Sequence, residues 1–506
     1  MNFNSNKRNR DSPSREHINK YMDQTESGEP VLSDSVRVNG SVTTVTLTSG
    51  GKLQWSDRSL DVETEVLGFS VEGLKIKIRA VVECKDGICC FARPIIVRKS
   101  FTLEFSSDSS LRFWTEKLRE ILDALVRPKR LFIFVNPYGG KKSALKIFET
   151  EVKPLLNDAN IDFIVQETKY QLHAKEVVQE LDLTKYDGII CVSGDGILVE
   201  VVNGLLNRED WDAAIRIPLG VVPAGTGNGM IKSLLDSVGQ PCAAFNATLA
   251  VIRGHKRTLD VATISQGDTR YFSVLMLAWG LVADIDIESE KYRWMGSARI
   301  DFYALQRIFG LRKYNGSIVF VPASGYEAYG EPLHQEDDII VEIESESNSD
   351  KEPARTQQYA YHGPPIDVKS LNWRKINGPF VSIWLHNVPW GGEDAMAAPD
   401  AEFSDGCLDL IMIKDCPKLS LLKIMTEVNN GGHVKSPYVS YLKVKAFVLQ
   451  PGHRTEDPTK AGIIDVDGEV LARGKGTYKC DQETLMAYDK LFIKVDQGLA
   501  TVFSPI

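Results

Sequence analysis

Ser193-Gly194-Asp195-Gly196 is the stretch on which the fold turns. It follows the apolar run Gly188–Val192 and precedes Ile197–Leu206, whose apolar residues recur at helical spacing, so it reads as a strand-to-helix turn. Two turns of the same kind flank it: Asn136-Pro137-Tyr138-Gly139-Gly140 after Leu131–Val135, and Pro223-Ala224-Gly225-Thr226-Gly227-Asn228 after Pro218–Val222. In an open α/β sheet the carboxyl ends of neighbouring parallel strands face one crevice, and free N–H groups at helix starts favour phosphate. Three such turns are expected to meet at a single polyphosphate. Only the middle one carries a carboxylate. Asp195, between two glycines that let ligand and backbone approach closely, is the expected general base of a phosphoryl transfer to an alcohol.

Neither of the commoner phosphate motifs fits. In Gly140-Lys141-Lys142-Ser143 a second Lys stands where Ser or Thr should follow the first, and Val135 occupies the place of the leading glycine of a P-loop. A dinucleotide fingerprint starting at Gly225 and Gly227 would need its third glycine at Met230. An Asp in such a turn ordinarily caps the helix that follows. Glycine on both sides of Asp195 costs conformational entropy and favours the catalytic role over the cap.

Working outward, strand and helix patterns alternate through Ser143–Phe148, Phe163–Glu167 and His173–Leu181 as well, which defines an α/β nucleotide-binding domain over 128–257. Past Arg257 strand patterns dominate (Phe272–Ala278, Ser317–Val321, Val381–His386, Leu408–Ile413, Leu442–Leu449), giving an expected β-sandwich domain over 258–506. Its residues 324–365, acidic and rich in Ser, Pro and Gln, read as a flexible insertion. Upstream, 31–127 reads as a small β-rich domain closed by one helix. In that helix Leu111, Trp114, Leu118, Ile121, Leu122 and Leu125 share a face, with Ser107 or Asp108 as cap and Pro128 as stop. Strands followed by a single Trp-bearing helix resemble a pleckstrin-homology fold. Residues 1–30 are polar, lack the apolar stretch of a secretory signal, and read as a disordered tail.

At 506 residues the chain is too long for one core, and its net charge of -9 argues against nucleic acid as a partner. Eight cysteines show no metal-ligand spacing and read as reduced core thiols of a cytoplasmic protein. The longest apolar run, Ser273–Ala283, is about half of the roughly 20 residues that cross a bilayer, so membrane contact is expected to be peripheral.

The Ser193–Gly196 turn, its two glycine-rich neighbours, Leu277-Ala278-Trp279-Gly280, the run Ala283–Arg293 and Val466-Asp467-Gly468-Glu469 together resemble sphingosine kinases. These belong to the lipid-kinase superfamily that includes diacylglycerol kinases, and the likeness, closest to the plant branch, covers about Lys129 to Ile506. It implies ATP and Mg2+ as cofactors and a sphingoid base as lipid partner, bound in the β-sandwich domain. It also implies work at an endomembrane surface such as the vacuolar one. Carried over by position, it implies Asp195 as catalytic base, with Ser193, Gly194, Gly196 and Asp286 at the lipid substrate, Asp286 holding its amine. It places Asn136, Pro137, Tyr138, Gly139, Gly140, Thr168, Glu200, Gly225, Thr226, Gly227, Arg293, Arg299, Asp467, Gly468 and Glu469 at ATP. From the residues alone, Arg293 and Arg299 suit the charge stabilisation of phosphoryl transfer, but each also reads as part of a solvated charged run. Asp286 could equally pair with Lys291 or Arg293.

Two alternatives follow from the same sequence: a kinase for ceramide or diacylglycerol, and an inactive lipid-binding scaffold. Asp286 speaks against the first, because a buried carboxylate facing an amide or ester would cost several kcal/mol. Asp195 speaks against the second.

Overall fold

A computed structural model describes residues 28–84, 95–139, 142–296, 298–333, 360–365 and 370–505. The chain divides into two compact units, Met1–Leu125 and Val126–Ile506. Nearly all of the expected N-terminal tail, Gly140, and Cys89 and Cys90 lie outside the described residues.

Among its described residues the first unit holds seven antiparallel strands: β1 (Pro30–Val38), β2 (Ser41–Thr48), β3 (Lys52–Trp55), β4 (Arg58–Asp61), β5 (Val66–Glu72), β6 (Lys75–Cys84) and β7 (Ile95–Glu104). They lie in the order β4-β3-β2-β1-β7-β6-β5. Alternation sets the faces: Ile76, Ile78 and Ala80 of β6 are buried while Lys75 and Lys77 point outward. The strand expected from Gly73 begins after it, because Gly73 takes φ +59 and turns the hairpin between β5 and β6. Helix α1 (Asp108–Ala124) starts at Ser107, whose side chain accepts the Ser110 N–H at 3.2 Å. Its buried residues Leu111, Trp114 and Leu118 close the core, Trp114 lying 6.0 Å from the Phe105 ring. Cutting Trp114 back to Ala would cost about 3–5 kcal/mol.

The second unit opens with β8 (Arg130–Val135), α2 (Ala144–Ile147), α3 (Lys153–Asp158), β9 (Asp162–Glu167), α4 (His173–Glu180), β10 (Gly188–Ser193), α5 (Asp195–Leu206), α6 (Trp211–Ala214), β11 (Leu219–Pro223), α7 (Gly229–Asp236) and α8 (Ala244–Arg253). Strands β9, β8, β10 and β11 are adjacent and parallel. Every residue of β10 and β11 is buried, which suits parallel strands covered on both faces.

Strands then prevail: β12 (Lys256–Gln266), β13 (Thr269–Ser273), β14 (Met276–Gly280), helices α9 (Leu281–Glu288) and α10 (Ala298–Phe309), β15 (Tyr314–Pro322), β16 (Glu331–Pro332), β17 (Arg374–Asn377), β18 (Ser382–His386), β19 (Trp390–Gly392) and β20 (Ala395–Met396). After these come β21 (Leu408–Ile413), α11 (Lys418–Glu427), β22 (Ser440–Arg454), β23 (Ile463–Val466), β24 (Glu469–Arg473) and β25 (Leu491–Phe503). Trp279, Phe320, Phe380 and Phe447 centre their core.

Three expectations change here. The division between 257 and 258 falls inside β12, and no linker separates two sheets: β25 pairs antiparallel with β12 and β22 and parallel with β11 at Leu219↔Val502. Phe503 fills the space beside Gly188 and Gly220, where added Cβ atoms would lie 2.6 and 3.3 Å from its ring. The insertion 324–365 is built into the fold at both ends, because it carries aromatic residues there. Glu331–Pro332 pairs with β17, and the Tyr361 ring lies 4.4 Å from Trp211. Residues 334–359 lie outside the described residues. Finally, Cys191, Cys407 and Cys416 are buried as core thiols, but Cys480 is exposed because it sits in turns rather than a strand.

Candidate active site

The three turns end adjacent strands, as the sequence predicts. In the first, Asn136 accepts the N–H groups of Tyr138 (3.0 Å) and Gly139 (3.1 Å) on its own side-chain oxygen, an Asx turn that leaves Tyr138 exposed and Pro137 between them. Thr168, after β9, is buried and donates its N–H to Val135 at 3.0 Å.

The middle and third turns touch. A Cβ on Gly225 would sit 2.3 Å from Gly194 Cα, and one on Gly194 would sit 2.6 Å from the Gly227 carbonyl. The Asp195 N–H donates to that carbonyl at 3.2 Å, and Ala224 N–H donates to Ser193 at 3.1 Å. Gly194 is therefore also glycine so that two loops can pack, a demand the sequence argument did not foresee. A Cβ added at Gly196 would meet nothing within 4 Å, so that flank of Asp195 opens onto space.

Asp195 is the first residue of α5, and its carboxylate caps a different helix. It accepts the N–H groups of Gly229 (2.7 Å) and Met230 (3.1 Å), the first turn of α7. Burial pushes its pKa up to about 6, against the pull of those two N–H groups. The Glu393 carboxylate, from the β19–β20 hairpin, adds to the rise. Asn228 ties the third turn to Glu393: it bonds the Gly225 backbone in both directions at 3.2 Å and donates to Glu393. Sequence reasoning missed both residues; Asn228 directly after Gly-Thr-Gly was a signal, whereas nothing near Glu393 marks it. Thr226 sits in the same bend between Gly225 and Gly227.

Two residues expected at ATP have side chains engaged elsewhere. Glu200, one turn along α5 from Gly196, accepts the N–H groups of Leu172 (2.9 Å) and Ala174 (3.0 Å), holding the start of α4 where Leu172 takes φ +70. Asp467 accepts four donors: Ser273 Oγ (2.8 Å) and the N–H groups of Val274 (3.1 Å), Leu275 (3.0 Å) and Met276 (2.8 Å). That clasp divides the expected strand 272–278 into β13 and β14. Asp467 itself has φ +54, Gly468 follows at +84 with open space around it, and Glu469 accepts from Gln171 at 3.1 Å. The late turn thus reaches the loop between β9 and α4 through Glu469 rather than through Asp467.

On α9 the carboxylates of Asp284 and Asp286, two residues apart, serve different surroundings. Asp284 is held by Arg312 (3.1 Å) and the Tyr314 hydroxyl (2.6 Å). Asp286 faces Arg299, whose charge opposes the rise in pKa that burial imposes. Neither of its sequence-expected partners engages it: Lys291 donates to Tyr303 at 3.2 Å and the exposed Arg293 to Glu290 at 2.7 Å. Arg299 donates to Ser289 Oγ at 2.9 Å. Burial, then the Glu200, Glu290 and Asp286 carboxylates, raise the pKa of Glu469, and Arg293 offsets them, so these groups share one electrostatic neighbourhood.

A parallel sheet whose glycine turns surround one ionisable carboxylate, continuous with a β-sandwich, defines a lipid kinase of the diacylglycerol kinase type. Residues 130–264 match the diacylglycerol kinase catalytic domain, and 366–486 match the YegS C-terminal NAD kinase beta sandwich-like domain. Sphingosine kinase 1 of Arabidopsis thaliana is 60% identical over 94% of this chain and 96% of its own length. Sphingosine kinase 1 of Homo sapiens is 31% identical, covering 69% and 87%, and ceramide kinase of Homo sapiens 30%, covering 74% and 73%. The chain belongs to the sphingosine kinase family.

Proposed function

We propose that the protein transfers the γ-phosphoryl group of ATP to the primary hydroxyl of sphingoid long-chain bases. One observation carries this reading: Asp195, on the α7 N-terminus and beside the open flank of Gly196, has a carboxyl pKa pushed up to about 6. A base poised near neutrality accepts the hydroxyl proton as the alcohol oxygen bonds the γ-phosphorus and the bond to ADP breaks, its electron pair leaving with ADP. Ser193, Gly194 and Gly196 line the hydroxyl side. Asn136, Pro137, Tyr138, Gly139, Gly140, Thr168, Glu200, Gly225, Thr226, Gly227, Asp467, Gly468 and Glu469 are assigned to the nucleotide. Arg293, exposed and paired with Glu290, is assigned with Arg299 to the phosphates. Asp286 takes the ammonium of the base.

Among the described residues no three carboxylate, imidazole or thiolate groups converge as a cation cage. Magnesium would accompany the triphosphate, where it would neutralise phosphate charge.

Ceramide and diacylglycerol are poorer substrates in this reading, since they bring no cation to Asp286, and 60% identity to a sphingosine kinase outweighs 30% to a ceramide kinase. A scaffold without activity would have no use for an acid held near neutrality. Turnover of sphingosine, phytosphingosine, ceramide and diacylglycerol with γ-labelled ATP tests the assignment; equal rates with sphingosine and ceramide would defeat it.

The lipid is reached from a membrane surface. Among the described residues no helix is long and apolar enough to cross a bilayer. Phe302, Leu305 and Phe309 of α10 and Leu419 and Leu422 of α11 are exposed on two helices that pack together, with Lys418 and Lys423 beside them. Aromatic and leucine side chains with flanking lysines suit the interface of an anionic bilayer, which gives peripheral attachment at a cytoplasmic endomembrane face.

A further inference from the structure

Asp465 lies on β23 opposite Ala278 of β14. Its strand neighbours Ile464 and Val466 enter the aromatic core, so the alternation of the strand turns Asp465 to the other face, toward Asp286 on α9. The side chain is 0% exposed, and neither carboxyl oxygen receives a hydrogen bond from an N–H or O–H of the described residues. Two residues along the chain, Asp467 is just as deeply set but accepts four donors. A buried carboxyl without donors is destabilising, and an apolar side chain of similar size would leave the free protein more stable. Burial first, then the Asp286, Asp467 and Glu469 carboxylates, lift its pKa well above the usual range and favour its protonated form beside Asp286.

We infer that Asp465 is a second head-group residue, forming with Asp286 a two-carboxyl receptor for the 2-amino alcohol end of the lipid. The inference rests on the proposed use of a sphingoid base. The pair holding one proton carries a single negative charge and leaves acceptor sites unfilled. An ammonium with its neighbouring hydroxyl brings the matching charge and enough donors for both residues. An N-acylated lipid brings one N–H and no charge, so it leaves the pair largely unpaired.

The test uses the full chain with Asp465→Asn and Asp465→Ala, assayed with sphingosine in mixed micelles. Both variants are expected to raise KM for sphingosine about tenfold or more, the scale of hydrogen bonds to a charged group, with KM for ATP unchanged. Without lipid, the thermal midpoint of each variant is expected to equal or exceed that of the unmodified protein. A purely structural Asp465 would instead lower the midpoint and impair both substrates together, and that outcome overturns the inference. So does an unchanged sphingosine KM in a protein that turns sphingosine over normally. Failure of the unmodified protein to phosphorylate sphingosine removes the functional reading itself, and the inference with it.

Discussion

The Asp195 carboxylate accepts the backbone N–H of Gly229 at 2.7 Å, 34 residues along the chain, so the residue that opens α5 caps α7. The cap fixes the acid's position and favours its ionised form, while burial pulls the other way. Their balance leaves the group close to neutrality.

Asp195→Asn is expected to abolish this balance without breaking the cap, since the amide oxygen still accepts an N–H. Turnover should fall about 10²- to 10⁴-fold, the usual contribution of a general base, with nucleotide affinity retained. Single-turnover transfer from labelled ATP, set beside a direct ATP-binding titration, measures the two separately.

The pH profile follows from the same group. Because Asp195 must be ionised to accept a proton, kcat/KM should drop about tenfold per unit below pH about 6. Stability runs the other way. The folded pKa is raised from 3.8, so the Asp195 contribution to folding is present at low pH and is lost as pH rises through about 6. Asp195→Asn should therefore melt higher than the unmodified protein at pH 8 by calorimetry, and no such gain is expected at pH 3.

Gly225→Ala and Gly196→Ala separate loop packing from ligand approach. The first drives a methyl group to 2.3 Å from Gly194 Cα and is expected to cost about 1–3 kcal/mol in urea unfolding. The second meets nothing within 4 Å in the protein and should fold within about 0.5 kcal/mol of normal while KM for one or both substrates rises.

Phe302→Glu with Leu419→Glu should weaken sedimentation with anionic vesicles roughly tenfold and leave turnover of micellar sphingosine unchanged. Equal vesicle binding by the double variant would move the membrane contact elsewhere.

Much of this architecture is readable from local sequence. The run Gly188–Val192 is apolar, and β10 adds only Ser193 to it; Leu408–Ile413 is β21 to the residue. Ser107 announces α1 because capping is a contact across three residues. What local patterns do not carry are pairings between distant segments. Nothing around Glu200 says that its oxygens hold the start of α4, and nothing in Val466-Asp467-Gly468-Glu469 says that Asp467 supplies acceptors for residues 274–276. Each carries, besides its expected place at the nucleotide, a structural duty that only its donors reveal. The glycines around Asp195 teach the same lesson: identical in sequence, one faces a loop and the other faces space.

β25 gives the enzyme an order of manufacture. The edge of β11 is translated long before the strand that covers it, so on the ribosome the nucleotide half waits with Gly188 and Gly220 uncovered until Phe503 has left the exit tunnel. A nascent chain halted before Leu491 would own every glycine turn and Asp195, yet it would lack the seam that makes one body of them.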